Sequence, residues 1–361
     1  MPHMPLPLRS AAAFAILVLL LCGCGKTETQ EWTVQEGDLG LTEPLRLAED
    51  GDFYFGEVYD VAVDDEGCIY VADGEAGHVK VLSADGAPED TIGRPGNGPG
   101  EFRRPFRLGL TSEDSLYVMD GRRVSVFDPA GHFQYAFRTQ GASGTPRNMM
   151  VPSAGGGAFF AYLPFPEEVA QTGARAVLRH VESSGEVGDT LLAVRPRQIR
   201  PDGGPLPFSR LSLFDLGPAG SLHHAWSGAL DVTLYDQRGQ RHRTVAVPFD
   251  PVPVSVEERK SALDNRSKEE RAALREHMPE TKPAFNRFLV DDEGRYWFGR
   301  PTANPDSTAW WVAAPDEKQV VTNTLPSSVR ILTVQDGHAY GRATTETGAP
   351  VLVRYTIDPD T

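Results

Sequence analysis

The stretch that decides the fold is VAVDDEGCIYVADG, Val61–Gly74, with its near-copy LGLTSEDSLYVMDG, Leu108–Gly121, starting 108 − 61 = 47 residues later. Equivalent steps agree in chemistry: Ile69 with Leu116, Tyr70 with Tyr117, Val71 with Val118, Asp73 with Asp120 and Gly74 with Gly121. Each copy is a short alternating run, a polar turn, a second run carrying an aromatic, and an Asp-Gly turn. Alternation between turn residues predicts antiparallel hairpins with one packed face. A period in the forties built from such hairpins predicts a radially repeating β-structure, because one small sheet cannot bury both of its faces alone.

Between the two copies lies a glycine-rich loop, Ile92–Phe102, followed by Pro105. It leads into a strand pattern and lacks Gly-Lys-Ser/Thr, which excludes a phosphate-cradling loop of the P-loop kind. The loop ending in Gly100-Glu101-Phe102, joined to the Tyr-Val-x-Asp step, resembles the NHL-type six-bladed β-propeller repeat over about residues 58–134. A second match to bacterial lipoproteins of that propeller type is PAFNRFLVDDEG, Pro283–Gly294, whose Asp291–Gly294 turn repeats Asp64–Gly67 residue for residue. Weaker copies fill the rest and give six candidate blades, near 58–88, 104–137, 148–195, 205–248, 284–323 and 325–358. The fold class is therefore all-β, a six-bladed β-propeller over 41–361 with a short helical insertion. Leu41–Ala48 has no partner of its own and is expected to add a strand to the last blade and lock the ring.

The insertion spans about 251–283. Pro251 and Pro253 end the preceding strand, and Ser255–Glu258 and Ser267–Glu270 have the form of capping boxes. Two helices are expected, about 256–265 and 268–278, with Pro279 stopping the second. Two readings stand: a solvated insertion packed on one face, or a lid or docking element over the channel mouth.

The N-terminus is a separate matter. Arg9 is the only charge before an apolar run, Ala11–Leu21, which is too short to span a bilayer and fits the core of a secretory signal. Leu21-Cys22-Gly23-Cys24 resembles a bacterial lipoprotein processing box. That resemblance implies a signal peptide over 1–23, acylation of Cys24 and a tether over 24–40. Gly25 in place of Asp disfavours inner-membrane retention, so the implied location is the cell envelope, as an outer-membrane lipoprotein facing the periplasm or the cell surface. Acyl chains at roughly 0.8 kcal/mol per buried methylene anchor a protein without spanning the membrane.

Charge narrows the partners. The chain carries 35 Lys and Arg against 50 Asp and Glu, a net charge of −15, and loss of Arg9 with the signal makes it −16. This argues against nucleic acid or anionic lipid as a general partner and leaves room for a local basic site. Only Cys68 stays free after acylation, and it reads as a small buried residue.

Candidate site residues follow from the repeat and from the histidines. Asp73 and Asp120 recur at one step, and Arg300 takes that place in the fifth blade. Such a polar ring could bind a charged ligand, or the acids could accept backbone hydrogen bonds at turns. His223 and His338 are further candidates, and adjacent His223 and His224 must point to opposite faces of a strand. No His-Glu-x-x-His or other compact ligand pattern occurs, and no catalytic set can be singled out, so no metal or cofactor is assigned. Asp64, Asp65, Asp291 and Asp292 read as turn acids. Two function classes remain. The favoured one is an envelope-anchored, non-catalytic binding or scaffolding propeller for a protein, peptide or carbohydrate ligand, held to the membrane by its lipid. The alternative is a hydrolase or lyase with an axial site assembled from several blades. Replacing Cys24 with Ser should abolish metabolic lipid labelling and release the protein from membranes; labelling that persists defeats Cys24 as the anchor.

Overall fold

Among the described residues, six antiparallel four-stranded blades follow one another along the chain, the fifth extended by one parallel strand, and a two-stranded ladder pairs Arg94–Pro95 with Glu101–Phe102. The computed structural model describes residues 32–357 apart from 36–38, 42–43, 48–52, 140–144, 154, 237 and 317. Cys24 and the expected signal segment, residues 1–23, lie outside the described residues. The innermost strands of blades 1 to 6 are Val58–Val63, Pro105–Leu110, Thr145–Pro152, Ser212–Leu216, Arg287–Val290 and Arg330–Gln335. Four antiparallel strands return the chain to the face on which each blade began. All inter-blade linkers therefore emerge on one face, here called the mouth face. The turns from first to second strand lie on the opposite, turn face.

The ring closes with an early segment, as the sequence predicts. Blade 6 supplies three strands from its own stretch, and Leu45–Leu47 pairs antiparallel with Pro350–Thr356 as the fourth, with Leu47 opposite Leu352. A second early strand, Thr33–Gln35, was expected to be tether. It pairs parallel with Gln319–Val321 on the outer edge of blade 5, so backbone groups of that edge find partners.

Turn chemistry explains the blade shape. The Asp64 carboxylate accepts from the N–H of Glu66 (3.1 Å) and Cys68 (2.8 Å), and from the Tyr70 hydroxyl (3.0 Å). Asp291 repeats this in blade 5 with the N–H of Arg295 (2.7 Å) and Nε1 of Trp297 (2.8 Å). The turn acid thus closes its turn and satisfies the buried ring six residues on. Blade 2 has Thr111 there, and its Tyr117 hydroxyl pairs with that of Tyr135 instead (3.1 Å). The same turn needs positive φ, supplied by Gly67 (86°) and Gly294 (79°), and in blade 2 by Asp114 (55°).

The core lies between blades. Tyr70 and Val79 of blade 1 pack with Leu116 and Phe127 of blade 2, and Val232 of blade 4 packs with Phe288 and Phe298 of blade 5. Trp297 and Trp310 of blade 5 pack against Val334 and Tyr355 of blade 6. Leu47 completes the circle by joining Leu352 of blade 6 to Val58, Ile69 and Leu82 of blade 1.

Three α-helices are added among the described residues. Helix α1, Pro166–Thr172, leaves blade 3; α2, Val256–Leu263, and α3, Lys268–His277, form the insertion. Both expected capping boxes are present: Ser255 Oγ accepts from Glu258 N and Ser267 Oγ from Glu270 N. Leu274 and Met278 pack on Leu206 and Phe208 of the linker between blades 3 and 4. Leu47→Ala should lower stability in urea denaturation by roughly 2–4 kcal/mol, because it opens a cavity in the closing seam; an unchanged midpoint would show that closure does not depend on this contact.

Candidate functional site

The five residues singled out by the sequence fall on two faces. Asp73 and Asp120 end second strands at the mouth face and Arg300 is the last residue but one of its own; His223 and His338 lie near the start of second strands at the turn face. Asp73 accepts from the N–H of Gly56 (2.9 Å) and Glu57 (3.0 Å), and Asp120 from those of Arg103 (2.9 Å) and Arg104 (3.1 Å). The spacing is the same in both blades, 73 − 57 = 120 − 104 = 16. Arg300 keeps that step with inverted polarity, since 300 − 284 = 16 and its Nε donates to the carbonyl of Ala284 (3.1 Å). It also donates to the Asp250 carbonyl (3.1 Å), which holds both ends of the insertion, and stacks 3.8 Å from the Trp311 ring centre. These three side chains thus tie each blade's incoming loop to its second strand.

His223 is buried, with Nε2 3.0 Å from Ser221 Oγ and its ring 5.4 Å from that of Tyr296. His224 faces the other way, 2.9 Å from Ser212 Oγ. His338 contacts its neighbour, the Asp336 carbonyl, at 2.7 Å. Among the described residues, no three His, Cys, Asp or Glu side chains are grouped so that they could hold a metal.

A different set converges on the axis. Arg287 and Arg330 are the first residues of the inner strands of blades 5 and 6, and Arg342 lies opposite Arg330 on the next strand. All three line a cavity of about 860 Å³ at the mouth. Its wall is completed by the two long linkers, through Arg197 and Ser209 from 195–211 and Glu258 and Lys282 from the insertion.

The acids at this cavity are already engaged. Glu258 pairs with Lys282 at 2.6 Å, and Glu57 with Arg104 at 3.0 Å. Lys282 Nζ also donates to the Thr302 carbonyl (2.8 Å). Arg287 and Arg342 donate to the carbonyls of Asn286 (2.9 Å) and Val58 (3.0 Å), while Arg330 Nε is buried without a partner. Among the described residues, none of Arg197, Arg287, Arg330 and Arg342 is within ion-pair reach of a carboxylate. Burial, with repulsion from Arg287 and Arg342, brings Arg330 down to about 10, and burial with Arg342 lowers Arg287. Arg287 and Arg330 remain cationic at neutral pH, so the mouth holds concentrated positive charge, offset at Arg330 only in part by Asp60.

Deeper on the axis, Asp60 accepts from Leu108 N (2.9 Å) and sits 3.5 Å from Arg107, and Asp215 accepts from Val290 N (2.8 Å). Burial raises both carboxyls, Asp215 to about 6. The turn face is acidic. There burial and the charges of Asp64 and Asp65 raise Asp114, while burial, Asp292 and Asp65 raise Asp336. A chain of strongly negative net charge is thus basic at one opening and acidic at the other.

Comparison with known proteins agrees with this architecture. A family profile described as a 6-bladed β-propeller matches residues 44–142. The fold is a six-bladed β-propeller. A candidate exported protein from Bacteroides fragilis NCTC 9343 superposes with a TM-score of 0.56 at 12% identity, covering 91% of this chain and 98% of that one. A member of the DUF4221 family from Bacteroides vulgatus ATCC 8482 gives 0.56 at 10% identity, over 88% and 97%. At these identities the likeness concerns the fold alone. A search of curated proteins finds no match to this sequence.

The arginine mouth was missed in the sequence because its members come from three segments with no common motif. The available signal was an arginine opening two inner strands in an acidic chain.

His223 also generates a pH expectation. Burial lowers it from 6.5 to about 4, so the folded protein keeps it neutral while the unfolded chain protonates near 6.5. Its contribution is fully present above the unfolded value and is lost as pH falls from 6.5 towards 4, up to about 3 kcal/mol. Denaturation at pH 7 and pH 4.5 should show His223→Gln to have a flatter stability profile than the parent; an equal pH dependence would refute this.

Proposed function

We propose that this protein is a lipid-anchored envelope propeller of the NHL type that binds a small anionic ligand, a carboxylate or phosphate, at its arginine mouth, without catalysing a reaction. The observation that carries the reading is the convergence of Arg287, Arg330 and Arg342 on one cavity, with the acids of that cavity paired elsewhere. Holding like charges together in a half-buried site is unfavourable, and an anion that neutralises them gains charge-assisted hydrogen bonds in return. The polarity of the two faces draws such a ligand to the mouth and away from the turn face. The insertion supports the reading too, since Glu258 and Lys282 place it in the cavity wall and not on a distant surface. The Leu21–Cys24 box supports the anchor, and no helix among the described residues is long and apolar enough to cross a membrane.

A hydrolase or lyase reading has its best acid–base candidate in Asp215, raised to about 6 near Arg107 and Asp60. Yet Asp60 and Asp215 accept backbone N–H groups across blade seams, and neither lines the mouth cavity. That placement favours binding over catalysis.

Calorimetry with inorganic phosphate and with acetate tests the proposal. Both should bind the parent with an affinity that falls as salt rises. Arg330→Gln and Arg342→Gln should each weaken binding about tenfold or more, as loss of a charged hydrogen bond predicts. Unchanged affinity in both variants, or no binding by the parent, would overturn it.

A further inference from the structure

A second cavity of about 360 Å³ opens beside the arginine mouth, between α1, the 195–211 linker and the strands of blades 3 and 4. Its walls are apolar: Leu163, Phe165, Val169, Ile199, Leu213 and Phe214. Several of these side chains are only half-buried, and Phe165, at the start of α1, is 47% exposed. Apolar side chains lining an open slot gain when a ligand covers them. The slot is not isolated from the mouth. Arg197 and Leu211 line both cavities, and Arg197 Nε donates to Ser209 Oγ (2.9 Å) on the mouth wall. One cationic side chain therefore stands where an apolar slot meets a cluster of arginines.

We propose that the ligand is a single-chain amphiphilic anion, its carboxylate or phosphate head at Arg197, Arg287, Arg330 and Arg342 and its hydrocarbon tail in the slot beside α1. This rests on the anion reading above and extends it to the class of molecule. Charge complementarity selects the head, and the apolar walls select the tail. At roughly 30 Å³ per water-sized group, the slot admits on the order of ten heavy atoms, a medium-length chain.

The experiment uses the purified full chain carrying Cys24→Ser, so that no acyl group of its own competes. Straight-chain carboxylates from acetate to decanoate are titrated below their micellar concentrations, with decanol as the uncharged control. Affinity should rise about three- to fourfold per methylene until the slot is filled. Decanol should bind at least tenfold more weakly than decanoate. Val169→Trp, which fills the slot, should flatten the chain-length dependence and leave acetate affinity unchanged. Leu213→Asn should do the same, and serves if the first variant fails to fold. Arg330→Gln should weaken every acid in the series. Acetate binding with no gain from added methylenes would overturn the tail site and leave the anion site standing. Decanol binding as tightly as decanoate would overturn the coupling of head and tail. Failure of every anion to bind would remove the mouth reading, and this inference with it.

Discussion

The structure depends on burial between blades. Each sheet presents two apolar faces and can hide them only against its neighbours, so the ring is stable only when closed. Leu47 sits where this condition is met, linking Leu352 of the last blade to Ile69 and Leu82 of the first. Closure by an early strand makes the two ends of the domain parts of one sheet, so fraying of either end exposes the seam. The chain's single cysteine among the described residues, Cys68, is free, so this seam is held by packing and backbone pairing.

The ring also creates the electrostatics. Inner strands bring their first residues together around the axis, and that convergence turns separate arginines into a site. Arg287 and Arg330 begin adjacent inner strands, and pairing across blade 6 brings Arg342 alongside. Four-stranded blades send every linker to the mouth face, so the two long linkers reach the same cavity. Their contact through Leu206, Leu274 and Met278 makes them one wall. The turn acids gather at the opposite opening for the same geometric reason.

Much of the blade construction was legible in the sequence because it is local. The acids of the Asp-Asp-Glu-Gly turn act within six residues, and Asp64 and Asp291 make the contacts their spacing suggests. The capping boxes at Ser255 and Ser267 are equally local. Asp73 and Asp120 show the limit of such reading. Their recurrence was visible, and Asp73 does accept from Ala76 N in the turn it begins (3.1 Å), but both acids also reach 16 and 17 residues back to the incoming loop. Arg300 shows it more sharply. At the same step a cation replaces an anion, because there the loop presents the carbonyl of Ala284 in place of an N–H.

The sequence by itself determined the number of blades, their order, the closing strand and the helical insertion, since alternation, turn residues and a period near 47 constrain each element through neighbours along the chain. Only the tertiary structure decided where charge accumulates and which residues face one another across the axis. A strand's first residue can be read from the sequence. Its approach to another blade's first residue depends on ring closure, which sums the placement of six sheets and leaves no motif in any one segment.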